Sequence, residues 1–202
     1  GAGPLRGGFD GSFYDDAFTA NNPFTPVKGD ERTRQYGTNL AGTIVPNKTS
    51  FSINVGGTSE YTSPSLLAVL ADGSTFADAL RRPTDVVNIG LRIDQALSPD
   101  HNLRVSFDRN SRETRNQGIG GFNLTDRGFE TTNATNVLRL AEGGPLGRRM
   151  YTESRLQLVW STSESVASVE APTIRVIDAF TSGGAQTQGG QDRFELEAAT
   201  DL

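Results

Sequence analysis

Hydrophobic positions along this chain recur every second residue far more often than every third or fourth, the spacing of a strand with one apolar face. The clearest run is 85–94, where Val87, Ile89, Leu91 and Ile93 alternate with Asn88, Gly90, Arg92 and Asp94. A second run sets Leu103, Val105 and Phe107 against Arg104, Ser106 and Asp108. Between them lies Ser98-Pro99-Asp100-His101-Asn102, made of residues that close a tight turn, so the two runs read as a β-hairpin.

The same unit recurs on either side. Upstream, residues 36–45 lead through Pro46-Asn47-Lys48 into Phe51, Ile53 and Val55. Downstream, 137–141 lead through the Gly-rich stretch 142–149 into Ser154, Leu156, Leu158 and Trp160, which alternate with Glu153, Arg155, Gln157 and Val159. An aromatic-rich segment, 8–19, predicts a strand before these hairpins, and Phe194, Leu196 and Ala198 open an eighth strand after them. Residues 21–30, with Pro23 and Pro26, read as loop. Ser74 as N-cap, Phe76, Ala77 and Leu80 on one side and Pro83 as terminator suggest one short helix over 74–82. The segments joining the hairpins (57–84, 110–135 and 161–191) are long and rich in Ser, Thr, Asn and Gly, and they alternate strictly with the short closing turns.

This order predicts an all-β, antiparallel up-and-down meander of about seven to eight strands. Alternation alone fits both a soluble sandwich with its apolar face inward and an outer-membrane barrel with its apolar face toward lipid. Charge placement favours the second. Arg92, Arg104, Arg139, Glu153 and Arg155 fall mid-strand on the polar face, as a wet lumen allows, and Lys28 and Lys48 are the only lysines against 17 arginines. Loop lengths also follow strand direction, as expected when one rim faces the periplasm and the other the outside. Tyr36, Phe51, Phe107, Tyr151 and Trp160 stand near strand ends, where interfacial aromatic girdles lie. The lumen-facing set predicted from this alternation is Asn88, Arg92, Asp94, Arg104, Asp108, Arg139, Glu153 and Arg155.

Composition narrows the chemistry. With no Cys and one His, thiolate sites, disulfides and His-rich metal centres are absent, and a net charge of −5 argues against nucleic acid as a partner. The longest apolar run, 66–71, is far short of the roughly 20 residues of a membrane helix. His101 beside Asp100 reads as a solvated turn rather than a general base, and the pairs Asp15-Asp16 and Asp30-Glu31 as solvated loop rather than a cation site or acid pair. Gly118-Ile119-Gly120-Gly121 lacks the context of a phosphate loop and reads as flexible. Arg109, Arg112 and Arg115 form either an anion-binding patch near the outer rim or a strand end balanced by Glu113; the second reading is preferred. No catalytic residue, metal or organic cofactor is expected. Because residue 1 is Gly, the chain is expected to be an excerpt.

Asn22-Pro23-Phe24, Tyr36-Gly37, Ala41-Gly42-Thr43-Ile44-Val45 and Asn47-Lys48-Thr49-Ser50-Phe51 together resemble the opening barrel strands of TonB-dependent receptors, in particular the Oar-like group. Arg82-Pro83-Thr84-Asp85, 98–103 and 178–186 are similar to that group as well, so the resemblance covers nearly the whole chain. Ala41, Gly42 and Thr43 stand where the family has paired Gly and then Pro, and Ser52 replaces an aromatic. The resemblance implies that residues 1–202 are the first part of an outer-membrane barrel of some 22 strands, with plug and remaining strands absent. It implies outer-membrane lipid, that plug and those strands as partners, and an inner-membrane energising complex acting through the absent plug. The intact form would admit a bulky nutrient or export a protein, with the long loops meeting external ligand. The rival expectation is a soluble secreted β-sandwich that binds carbohydrate or mediates adhesion; a hydrolase is the least favoured class.

A cation on the lipid face at mid-depth costs about 2–4 kcal/mol, whereas lumen substitutions are tolerated. Leu91→Arg is therefore expected to block membrane assembly and Arg92→Leu to permit it, as read by the heat-modifiable mobility of the folded protein; equal behaviour of the two variants contradicts the face assignment.

Overall fold

The computed structural model describes residues 3–18 and 29–202. In chain order its strands are β1 (Arg6–Asp15), β2 (Arg32–Val45), β3 (Thr49–Thr62), β4 (Ser65–Val69), β5 (Thr75–Ala79), β6 (Arg82–Ala96), β7 (Asn102–Gln117), β8 (Phe129–Leu146), β9 (Met150–Ala167), β10 (Ile174–Val176), β11 (Phe180–Ser182) and β12 (Gly189–Asp201). Eight of them form one antiparallel meander sheet in the order β1-β2-β3-β6-β7-β8-β9-β12, open and not closed into a barrel, with β1 and β12 as its edges. β4 with β5 and β10 with β11 make two separate ribbons.

Turn chemistry explains the short end of the sheet. Residues 46–48, 97–101 and 147–149 close the three hairpins. Asn47 at φ 56° and Gly147 at φ 72° supply the left-handed positions that tight hairpin turns need. In the middle turn the Ser98 hydroxyl accepts from the backbone N–H groups of Asp100 (3.3 Å) and His101 (3.1 Å), holding the chain after Pro99.

Pairing fixes the faces, because residues directly opposite in a ladder point the same way. One cross-sheet row reads Leu40, Ile53, Leu91, Phe107, Leu138, Leu158, Leu196 through seven consecutive strands. The next row toward the short turns reads Gly42, Phe51, Ile93, Val105, Leu140, Leu156, Ala198. These rows form a band that no second sheet covers among the described residues: Leu91 is 40% and Leu196 61% exposed. Among the described residues, the buried apolar side chains are Leu66, Ala68 and Ile119, all in connections at the other end of the molecule.

Several expectations are corrected. The helix over 74–82 is instead strand β5, paired with β4. Gly73 at φ 83°, the Asp72 carboxylate accepting from the Ser74 amide (2.9 Å) and hydroxyl (2.6 Å), and the Leu70 N–H to Ser74 carbonyl bond (2.8 Å) make a tight turn there. A lone helix of two turns has too costly a nucleus to compete with that hairpin. The strand expected over 137–141 runs on through Gly143, Gly144 and Pro145 to Leu146, and the long connections are shorter than the sequence suggests. Polar strand ends without an apolar stripe carry no period to detect. The first strand ends at Asp15 and is followed by a single 3₁₀ turn, Asp16–Phe18; Thr19 and the loop expected over 21–30 lie, but for Gly29 and Asp30, outside the described residues, as does Asn22-Pro23-Phe24. Tyr151, expected in an aromatic girdle, sits opposite Pro145 and over Gly143 on the polar face.

Tyr36 stands between Gly11 and Gly57 in one row, with its ring over Gly57. A Cβ on Gly57 would come within 2.6 Å of the Tyr36 ring and 2.7 Å of the Val86 carbonyl oxygen. On the Gly11 side the nearest atom would be at an ordinary 3.5 Å. Gly57→Ala is therefore expected to lower unfolding stability by about 1–3 kcal/mol and Gly11→Ala to change it by less than about 0.5 kcal/mol, as checked by denaturant unfolding of the two variants side by side.

Candidate functional site

The polar face of the sheet is the first candidate. The register places all eight residues of the expected set, Asn88, Arg92, Asp94, Arg104, Asp108, Arg139, Glu153 and Arg155, on one face, opposite to the Leu91 row. They are joined in a ladder running across the strands. Asp94 accepts from Nε of Arg92 and Nε of Arg104, both at 2.8 Å, and Asp108 accepts from Nη1 of Arg139 at 2.8 Å. Nε of Arg139 donates to Gln157 (2.8 Å), and Arg155 pairs with Glu153 (3.5 Å) and Asp201. Asn110 donates to Asn88 at 2.5 Å.

These side chains are roughly half exposed, so each pair stabilises the fold by at most about 1 kcal/mol. Their chemical effect is on the field. The four arginines meet four carboxylates, Asp94, Asp108, Glu153 and Asp201, so the face is wet and hydrogen-bonding but carries no single-sign ring of the kind that selects ions. Beside the ladder, Gly37, Gly56 and Gly90 leave a shallow hollow bordered by Asn39, Asn54, Asn88, Asn110, Asp10 and Asp108. Sequence reading missed this hollow. Its signal was available: glycines at polar-face positions of three strands with asparagines at the neighbouring ones.

The Arg109, Arg112, Arg115 series does not form a patch. Spacing of three in a strand flips the face, so Arg112 lies on the polar face while Arg109 and Arg115 lie on the apolar one. Arg115 pairs with Asp85 (3.2 Å) and Glu113 (3.1 Å), in line with the strand-end reading. Arg109 stands between Ile89 and Asn136 and donates to Asn136 Oδ1 at 3.0 Å. Asn136, 6% exposed, in turn donates toward the Trp160 carbonyl (3.4 Å). This polar step marks the upper limit of the apolar band on β7 to β9. Asp15 is held by Arg32 (2.9 Å) and the Ala17 amide (3.0 Å), and Asp30 by Arg81 (2.8 Å).

The second candidate is the cap made by the long connections. The Gly118 to Gly121 segment is not a free loop but its centre: Gly121 donates to Ser65 (2.9 Å) and accepts from Leu67 (2.8 Å), with Ile119 buried. Thr181 donates to Phe122 (2.8 Å) and accepts from Leu124 (2.9 Å), while Val69 donates to Ala179 (3.2 Å). Asp126 accepts from the Ser182 hydroxyl and the Gly183 amide, both 2.6 Å, and Arg127 reaches Thr173 (2.7 Å) and the Gly184 carbonyl. Three connections from different hairpins thus form one ordered body at the end of the sheet opposite the short turns.

At the short-turn end, Nδ1 of His101 lies 2.8 Å from a Glu142 carboxylate oxygen and Nε2 lies 3.1 Å from the Pro145 carbonyl. The hydrogen bond to Glu142 raises the imidazole above its ordinary value. A raised folded-state pKa means that the pair's stabilisation is complete below the ordinary histidine value of about 6.5 and fades as pH climbs through the folded pKa. The melting-temperature difference between the protein and His101→Gln is accordingly expected to be largest in mildly acidic buffer and to shrink on going alkaline; a pH-independent difference would contradict the pairing.

No family model matches the chain, and no curated protein or solved structure matches it either.

Proposed function

We propose that this chain is a non-catalytic portion of an outer-membrane receptor barrel of the TonB-dependent type, with the apolar band against lipid, the arginine-carboxylate face lining the passage and the loop cap outside. One observation carries this reading: the apolar band continues through seven strands and no element among the described residues covers it. The twelve large apolar side chains of the two rows, each worth about 1.5–3 kcal/mol when fully removed from water, would leave on the order of 10–20 kcal/mol unrealised in an aqueous setting even when half covered by neighbours. That is as much as the whole stability of an ordinary domain.

The dimensions fit. On the apolar face of β6 the first polar residues are Asp85 and Gln95, so 86–94 lie between them, close to the 9–11 residues a membrane strand needs. Beyond the band the face turns polar on the side of the long connections, at Ser111, Glu113, Thr162 and Glu164. Tyr36 and Trp160 stand at that border, as do the cation–π stacks of Arg32 on Phe13 (5.6 Å) and Arg81 on Tyr61 (4.7 Å) a little beyond it. The edges β1 and β12 would be met by the other strands of the parent barrel, plug and inner-membrane energising complex acting on the whole. A soluble sandwich would cover the Leu91 row with a second sheet, and no feature of this single sheet favours it over the membrane reading.

The chain has no Cys, so in a parent protein cleared of any thiol elsewhere a single introduced thiol reports its surroundings. In outer membranes of cells making the parent protein, Arg139→Cys is expected to react with a small water-soluble maleimide and Leu158→Cys to stay unlabelled until the membrane is dissolved and the protein denatured, because the reactive thiolate does not form in hydrocarbon. The reverse pattern, or recovery of the protein in the soluble fraction, overturns the proposal.

A further inference from the structure

The loop cap holds a cleft that the wall-and-loop reading does not assign a ligand. Its lining combines Phe122, Asn123 and Arg127 from the connection between β7 and β8 with Thr173, Arg175 and Asp178 from the β10–β11 ribbon. Its volume, about 480 Å³, is in the range of small-molecule sites. Two positions of opposite character define what fits. On one side are two guanidinium groups. Arg127 spends Nη1 on Thr173 and Gly184 and its Nε is buried, so what it brings to the cleft is its positive charge. Arg175 makes no ion pair among the described residues and is exposed. On the other side is the carboxylate of Asp178, held on a left-handed turn position at φ 56°, an acceptor for which a ligand must bring hydroxyl donors.

We infer that this cleft binds a hydroxylated ring bearing a carboxylate, of the uronic-acid class: the carboxylate on Arg127 and Arg175, ring hydroxyls on Asp178, Asn123 and Thr173, and the apolar ring face on Phe122, which is 54% exposed. A planar guanidinium matches a carboxylate through two parallel N–H bonds, which a round phosphate or a neutral ester does not reproduce equally. A simple anion would leave Phe122 and Asp178 unused, and a neutral sugar would leave both arginines unused. The inference rests on the cap being the outward, ligand-meeting surface, and it adds the ligand class.

Calorimetric titration of the purified, folded protein in detergent with a uronic-acid disaccharide, its methyl ester and inorganic phosphate tests it. Binding of the disaccharide is expected, weakened about tenfold or more by esterification, with phosphate weaker still. Arg175→Gln should weaken it to a similar degree, and Phe122→Ala should weaken it while sparing any residual phosphate binding. Arg127→Gln also removes a tether between loops, so Arg175→Gln, which breaks no contact within the fold, is the deciding variant. Arg148→Gln, in a short turn at the far end of the sheet, should change nothing. Equal binding of acid and ester, binding of phosphate as tight as the disaccharide, no binding into the millimolar range by protein of unchanged circular dichroism, or an Arg175→Gln variant with undiminished affinity each overturns the inference. None of these outcomes bears on the maleimide pattern at Leu158 and Arg139, so failure of the ligand assignment and failure of the membrane reading are told apart.

Discussion

Everything in this molecule depends on register. A strand that slipped by one residue against its neighbours would exchange its two faces: were β6 to slip so that Arg92 came in line with Ile53 and Phe107, Leu91 would fall between Asn54 and Asp108. The pairing avoids this in every ladder of the sheet, so that a single apolar row passes from Leu40 to Leu196 without interruption. Register is held from the short-turn end. There the loops 46–48, 97–101 and 147–149 leave no slack, and the left-handed positions at Asn47 and Gly147 commit the backbone to one reversal. The long connections at the other end could not set register by themselves, since length tolerates slippage.

That division explains which parts of the fold were legible in the sequence. Strands carrying the stripe, such as 87–93 and 103–107, announce themselves because burial or lipid contact demands one residue type at every second position. The extensions of β7, β8 and β9 past the stripe have both faces polar, and nothing in 111–117 or 129–135 distinguishes a hydrogen-bonded strand from a loop. They are strands because a neighbour already in register offers them a ladder. The mistaken helix over 74–82 has the same origin. Its 3.6-residue pattern is real, but Asp72 and Gly73 close a turn that lets 75–79 pair with 65–69, and an interaction between segments overrides a local preference.

The candidate site divides in the same way. Parity alone assigned the eight polar-face residues to one surface, and the ladder of Asp94, Asp108 and their arginines follows from it. What parity could not supply was partnership: that Asp94 serves Arg92 of its own strand as well as Arg104 opposite, or that Arg139 spans Asp108 on the diagonal and Gln157 opposite. Still less could it foresee the cap, where Gly121, Thr181 and Ala179 are brought together from connections separated by whole hairpins. No periodicity relates such residues; only the three-dimensional return of the chain does.

Arg109 shows how the two faces are reconciled at their boundary. A guanidinium among Ile89, Phe107 and Trp160 would be costly at the centre of an apolar layer, by about 2–4 kcal/mol, but by no more than about 1 kcal/mol near its surface. Its height is therefore informative. On β6 the stripe runs on through Ile89 to Val87, two rows past the point where on β7 it stops at Phe107, and Asn136 on β8 repeats the stop. The hydrogen bond between Arg109 and Asn136 satisfies both groups at the same level. With Trp160 in the next strand of that row and Phe107 stacked on it at 6.0 Å, the boundary is built from an amphipathic ring, an amide and a long cation. Trp160 and Arg109 each have an apolar part to leave below and a polar end to lift above, and the buried Asn136 is satisfied by Arg109 and the Trp160 carbonyl. An unpaired guanidinium would be selected against in a core, whereas a border between two solvents suits one that is bonded at the same level by an amide. In the membrane reading proposed above, this row has the same surroundings as the band beneath it, through residues that the band itself does not include.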